Sequence, residues 1–175
     1  MTERYGHQWK CAPIHPVAWE VIAAHIGQLG LRYNKIASRG CEVTGYRGEN
    51  AIITRWPSEN DESDRPVVWF AGRDAARGGP FVFDGGLDAP VSGGCRTDRE
   101  PYDMLVTAVL ATLHRHLGQD LVVQSDGGFG AWSMGVNFAR EVLNDPDLEC
   151  PPTVAPAPGV EPAAAEDCRT TGEYQ

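Results

Sequence analysis

Seven large residues, Tyr102, Leu105, Val106, Val109, Leu110, Leu113 and Leu117, recur at three- and four-residue spacing between Pro101 and Gly118. That period writes one apolar stripe along a helix. Pro101 suits the first turn and Gly118 the stop, so the spacing predicts a helix over 102–117, with Thr97 or Asp98 capping its entry. A stripe of this kind has to be covered by a sheet or by other helices. Its sequence neighbours offer both. Leu121–Gln124 reads as a strand, Asp126-Gly127-Gly128 as a turn, and Trp132, Val136, Ala139, Val142 and Leu143 as the stripe of a last helix.

Toward the N-terminus, Pro16 opens a second periodic segment, Ala18, Val21, Ile22, Ile26 and Leu29, which Gly30 is positioned to end. From 41 to 84 the pattern becomes short strands. Residues 42–46 and 50–56 flank Arg47-Gly48-Glu49 as a hairpin, and 67–71 and 81–83 are two further strands. Residues 1–15 show no clear period, and 57–66 and 85–94 read as surface loops. The result is an α+β, two-layer sandwich: a mostly antiparallel sheet of about five strands covered by about three helices. One domain is expected over 1–146, followed by a flexible Pro/Ala-rich tail over 147–175 that lacks large apolar residues. The tryptophans read as core, with Trp9 the most exposed.

A formal charge of −9 from 24 acidic and 15 basic residues opposes non-specific nucleic-acid binding. The apolar runs are too short to cross a bilayer and the N-terminus has no signal region, so the expectation is a cytoplasmic protein of the host cell. Five scattered cysteines suit free thiols rather than a disulfide framework. No cofactor motif is present, and oligomeric state is not written in the sequence.

The polar residues worth weighing sit at both ends of these elements. Arg96 and Arg99 precede the central helix, where the dipole and unpaired N–H groups favour an anion. With Thr97, Asp103, Ser125 and Asp126 they form the candidate ligand site. The competing expectation is that an arginine pairs with Asp98, Asp103 or Asp126 and locks the helix entry to the Ser125-Asp126-Gly127 turn. Cys95 beside that helix end could be a nucleophile. His114 and His116 lie at the far end of the helix, roughly 30 Å away at 1.5 Å per residue. A base would therefore have to come from His7, His15 or His25, and a buried structural thiol is the simpler expectation. His7, Cys11 and His15, with Cys41 as a fourth ligand, could hold zinc, but Pro13 and Pro16 break the helix that would align them. Ala131-Trp132-Ser133-Met134-Gly135 is not a nucleophile elbow, because the preceding strand ends nine residues before Ser133.

The run Cys95-Arg96-Thr97-Asp98-Arg99-Glu100-Pro101-Tyr102-Asp103, followed by Val106, Val109-Leu110, Ser125-Asp126-Gly127 and Trp132, resembles a group of small uncharacterised phage and prophage proteins. Their core carries Cys-Lys-Thr-Ala-Arg-Lys-Pro-Tyr-Asp, a helix and a Ser-Asp-Gly strand end. The resemblance spans roughly 80–144. Arg96, Asp98 and Glu100 replace Lys, Ala and Lys, which makes the segment less basic. It implies a mobile-element context and no particular chemistry. The expected function is a non-enzymatic accessory protein acting by protein contact or by binding a small anionic ligand. The alternatives are a small hydrolase or transferase using Arg96, Arg99, Asp103 and Asp126, and a virion-associated component.

Overall fold

The computed structural model describes residues 6–46, 48, 51–55, 66–73, 78–86, 89–127 and 129–152. Its elements run β1 (Gly6–Cys11), α1 (Pro16–Ile36), β2 (Val43–Thr44), β3 (Ile53–Arg55), β4 (Pro66–Gly72), β5 (Phe81–Asp84), β6 (Val91–Arg96), α2 (Asp103–Leu117), β7 (Leu121–Ser125) and α3 (Phe129–Leu143). A single 3-10 turn, Gly118–Asp120, joins α2 to β7. The architecture is α+β, as the sequence predicts. Among the described residues there are seven strands rather than about five, and they form two sheets rather than one.

The first sheet has the order β6-β1-β7, antiparallel throughout. Its central strand comes from the N-terminal stretch that shows no clear period. The alternation is there, with His7, Trp9 and Cys11 buried and Gln8 and Lys10 exposed. It is hidden because a histidine and a cysteine occupy inward positions. Trp9, expected to be the exposed tryptophan, is only 3% accessible and packs on Phe81 and Phe83 at ring distances of 4.9 and 6.1 Å. The expected surface loop 85–94 likewise ends in a strand, β6. Gly93 and Gly94 lower its strand propensity, but a Cβ on Gly93 would lie 2.7 Å from the Trp9 indole. Glycine is what lets β6 pass that close.

In the second sheet β4 is central. Trp69 N–H donates to the Ile52 carbonyl and Arg73 N–H to that of Glu42. Those alternate residues of β4 share one edge, so β2 and β3 lie end to end along it, and β5 takes the other. Among the described residues the hairpin expected between 42–46 and 50–56 therefore does not form. Both halves pair with β4 instead of with each other.

α1 begins at Pro16, with the His15 ring accepting from Val17 N–H at 3.3 Å. It does not stop at Gly30 but runs to Ile36. Gly30 is a contact point: a Cβ there would come within 2.5 Å of Ile52. α1 packs on β3 and β4, α2 on β7, and both helices touch α3. α2 is consequently buried on every side, from Leu105 continuously to Leu113, rather than along a stripe facing one sheet. Thr107 and Thr112 meet that environment by donating to carbonyls within the helix.

α3 closes on α2 through Gly135, whose added Cβ would collide with the Thr107 hydroxyl and lie 2.7 Å from Ala108 N and Met104 O. Backbone cannot yield as a side chain can. Gly135→Ala is therefore expected to cost about 1–3 kcal/mol despite alanine's better helix propensity. A urea melt no worse than that of the parent chain would show that the two helices separate freely.

The domain boundary expected at 146 falls short. Leu148 is fully buried, Pro151 is buried, Cys150 packs against the core, and Arg140 Nε donates to the Leu148 carbonyl at 2.7 Å. The rest of the expected tail, 153–175, lies outside the described residues. No described helix is long and apolar enough to cross a membrane.

Candidate functional site

Strand register brings the signature residues together. At the end of the first sheet, where β6 and β7 finish and β1 begins, Gly6 faces Arg96, and His7 lies between Cys95 on one side and Ser125 on the other. Directly opposed residues point to the same face, so Cys95, His7 and Ser125 form one inward row. Asp103, the first residue of α2, reaches that row: its Oδ1 is 2.9 Å from His7 Nε2, with side chains 14% and 0% accessible. Asp103 is one of three acids, with Asp98 and Asp126, expected to pair with an arginine. The register delivers a histidine instead, from a strand that the sequence does not reveal.

The surrounding groups are also spent inward. Trp132 presents its ring edge-on to His7 at 5.5 Å. Its Nε1–H donates to Ser125 Oγ at 3.3 Å, and Gly127 N–H donates to the same oxygen at 3.1 Å. Ser125 thus ties the end of β7 to the start of α3. Tyr102 O–H is shared between the carbonyls of Gly79 and Arg96 at 3.0 and 3.1 Å. Burial, then the negative charges around it, raises its pKa well above the ordinary phenol value.

Between β6 and α2 the chain makes a tight turn with Asp98 and Arg99 at φ 45° and 61°. Glu100 N–H donates to the Thr97 carbonyl at 2.8 Å, and Asp103 N–H to that of Glu100 at 2.9 Å. The expected side-chain cap from Thr97 or Asp98 is therefore absent. The residue at the cap position is Tyr102, which makes no side-chain cap bond. Thr97 Oγ1 is buried with no hydrogen-bond partner among the described residues. Arg96 pairs with Asp98 at 3.3 Å, one of the expected arrangements, and at 52% side-chain exposure such a pair contributes at most about 1 kcal/mol. Arg99 and Asp126 lie at the surface. The six residues expected to form a ligand site thus divide. Asp103, Ser125 and Thr97 belong to the interior, and Arg96, Arg99 and Asp126 to its rim.

Thiol, imidazole and carboxylate stand in the order a cysteine nucleophile needs. The thiol itself does not fit the part: Cys95 is 4% accessible and its Sγ points at the Gly79 carbonyl, 3.6 Å away. Burial, reinforced by the Asp103 charge, pushes its pKa up to about 12, so it is protonated at neutral pH. Ser133 donates to the Gly130 carbonyl in the first turn of α3, as expected of a helix residue. The proposed zinc set is dispersed. His7 is held by Asp103, Cys11 donates to the Ala12 carbonyl, and His15 caps α1.

A concavity of about 420 Å³ lies on the opposite, outer face of the sheet, lined by Gln8, Lys10, Ser92, Gly93, Val122 and Gln124, with Trp9 of β1 also bordering it. Gln8 stands between Gly94 and Gln124, and Lys10 between Ser92 and Val122. Gly94 leaves the trough open. Besides Trp9, its side chains are amides, a hydroxyl, one ammonium and an exposed valine. No protein family, curated protein or solved structure matches the chain.

Proposed function

We propose that this is a non-enzymatic accessory protein of a phage or other mobile element, acting by binding a protein partner across the outer face of β6-β1-β7. The observation that carries this reading is the direction in which the signature side chains are used. His7 Nε2, Asp103, Tyr102, Cys95 and Ser125 bond to one another and to nearby backbone groups, which is the behaviour of a structural lock. The outer trough offers hydrogen-bonding amides around Val122, which is 42% exposed, and holds no acid, imidazole or thiol. Such a surface can recognise and cannot readily catalyse. A small anion at Arg96 has less support, because Asp98 already meets that guanidinium. The mobile-element context rests on the resemblance of residues 80–144.

A hydrolase or transferase is the competing reading, and the registered pair Cys95 and His7, with Asp103 on the His7 ring, speaks for it. Two measurements separate them. Chain purified from its source cells is expected to carry a stoichiometric protein partner in native mass spectra, lost on Val122→Arg with an unchanged melting temperature. Peptide mapping after iodoacetamide at neutral pH is expected to leave Cys95 unmodified in the folded chain. Stoichiometric alkylation of Cys95 that disappears in His7→Gln would instead identify an activated thiol and overturn the binding reading.

A further inference from the structure

The far end of α2 carries a second arrangement that the signature residues do not reach. His25, midway along α1, and His116, in the last turn of α2, place Nδ1 and Nε2 3.0 Å apart, with ring centroids at 5.0 Å and planes inclined by 44°. The pair borders an open concavity of about 290 Å³ shared with Thr112, Arg115, Leu143, Asp145 and Leu148. Ninety-one residues separate the two histidines, so tertiary packing alone brings them together.

We propose that His25 and His116 chelate a divalent transition-metal cation of the kind that imidazole prefers, such as Ni²⁺, Cu²⁺ or Zn²⁺. Two nitrogens each about 2.0–2.1 Å from one ion stand roughly 2.8–3.0 Å apart when they are cis at a right angle. That is the spacing found, in a hydrogen bond whose hydrogen sits on one of the two nitrogens; metal binding requires that ring to take its other tautomer, with the hydrogen on the far nitrogen. A tetrahedral ion needs about 3.4 Å, which small ring rotations supply at a rim open to solvent. Water fills the remaining positions, for which the concavity has room.

The charges around the pair favour the metal-competent state. Partial desolvation, then the neighbouring His25 ring and Arg115, hold His116 below the ordinary imidazole pKa against the opposing pull of Asp145. A neutral ring keeps the lone pair that a metal requires. Arg115 is an unfavourable charge at the rim, and Asp145 answers it through a 2.8 Å pair. Asp145 is thereby held as a neighbour of the coordination sphere rather than a ligand. A bound ion would join α1 to α2 and stabilise the folded chain in proportion to its occupancy.

Ni²⁺ titrated into the full-length, tag-free chain is expected to bind at one site per molecule and to raise the melting temperature by several degrees at pH 7.5. At pH 5.5, where protons compete for the rings, the shift is expected to vanish. His25→Gln and His116→Gln are each expected to weaken binding more than about tenfold, while His114→Gln, on the same helix, leaves it unchanged. In the unmutated chain, the imidazole NMR signals of His25 and His116 should be the first to broaden. Saturable binding that survives both substitutions, or broadening centred on other residues, would place the ion elsewhere. Absence of saturable binding would reduce the pair to a proton-sharing contact. Either result overturns the proposal.

Discussion

His7→Ala is expected to destabilise the fold by about 3–5 kcal/mol, because it leaves a largely buried carboxyl group without its hydrogen-bond partner and opens a cavity where a fully buried ring stood. The substitution leaves the Asp103 carboxylate, 14% accessible, without the ring 2.9 Å away, and it empties the space against the Trp132 edge. Because β1 is the middle strand, the damage falls where β6, β7 and the entry to α2 meet. Asp103→Ala strands the fully buried imidazole in the same way. The double variant should therefore lose clearly less than the sum of the single losses, since neither group is left facing an absent partner. Urea melts of the four chains measure this directly. Additive losses, or a His7→Ala effect below about 1 kcal/mol, would mean that the pair forms without holding the sheet to the helix.

Ending the chain after Asp147 is expected to be nearly as costly, although composition makes the segment look dispensable. Leu148 has no exposed surface, and Leu148→Ala alone should cost about 2–5 kcal/mol. Truncation also removes the carbonyl that accepts from Arg140 Nε at 2.7 Å, and so releases the last turn of α3. Thermal melts of the truncated chain and of the point variant should show losses of similar size. An unchanged melting temperature in the truncated chain would show that the segment rests on the domain without supporting it.

These two outcomes also mark the border between what local sequence specifies and what it does not. The extent of α2, the start of α1 at Pro16, the stripe of α3 and the strands at 67–71 and 81–83 were legible. Each depends on interactions within a few residues: apolar period, proline at a first turn, glycine at a last. The signature segment was legible to the same depth. Its residues flank α2 and β7, and the fold does gather them at one end of a sheet, with Arg96 on Asp98 as one expected pairing.

The partner of Asp103 was not legible. It depends on β1 lying between β6 and β7, an arrangement set by antiparallel registers that span most of the chain. His7 then becomes an interior residue, because its neighbours on both strands point the same way. The glycines at 30, 93 and 135 read as breakers or helix-weakeners by propensity. Each is in fact a point of close approach to Ile52, Trp9 or Thr107, which only the packed structure defines. Leu148 is one leucine among polar and proline residues, a pattern with no period, and it is core because the segment after α3 brings it beside Thr112 and Arg115 of α2. Periodicity and turn chemistry are local, and so the sequence by itself determined the elements. Register and close packing are agreements between distant residues, so only the tertiary structure decided which side chain met Asp103, which glycines had to be glycine, and that Leu148 belongs to the core.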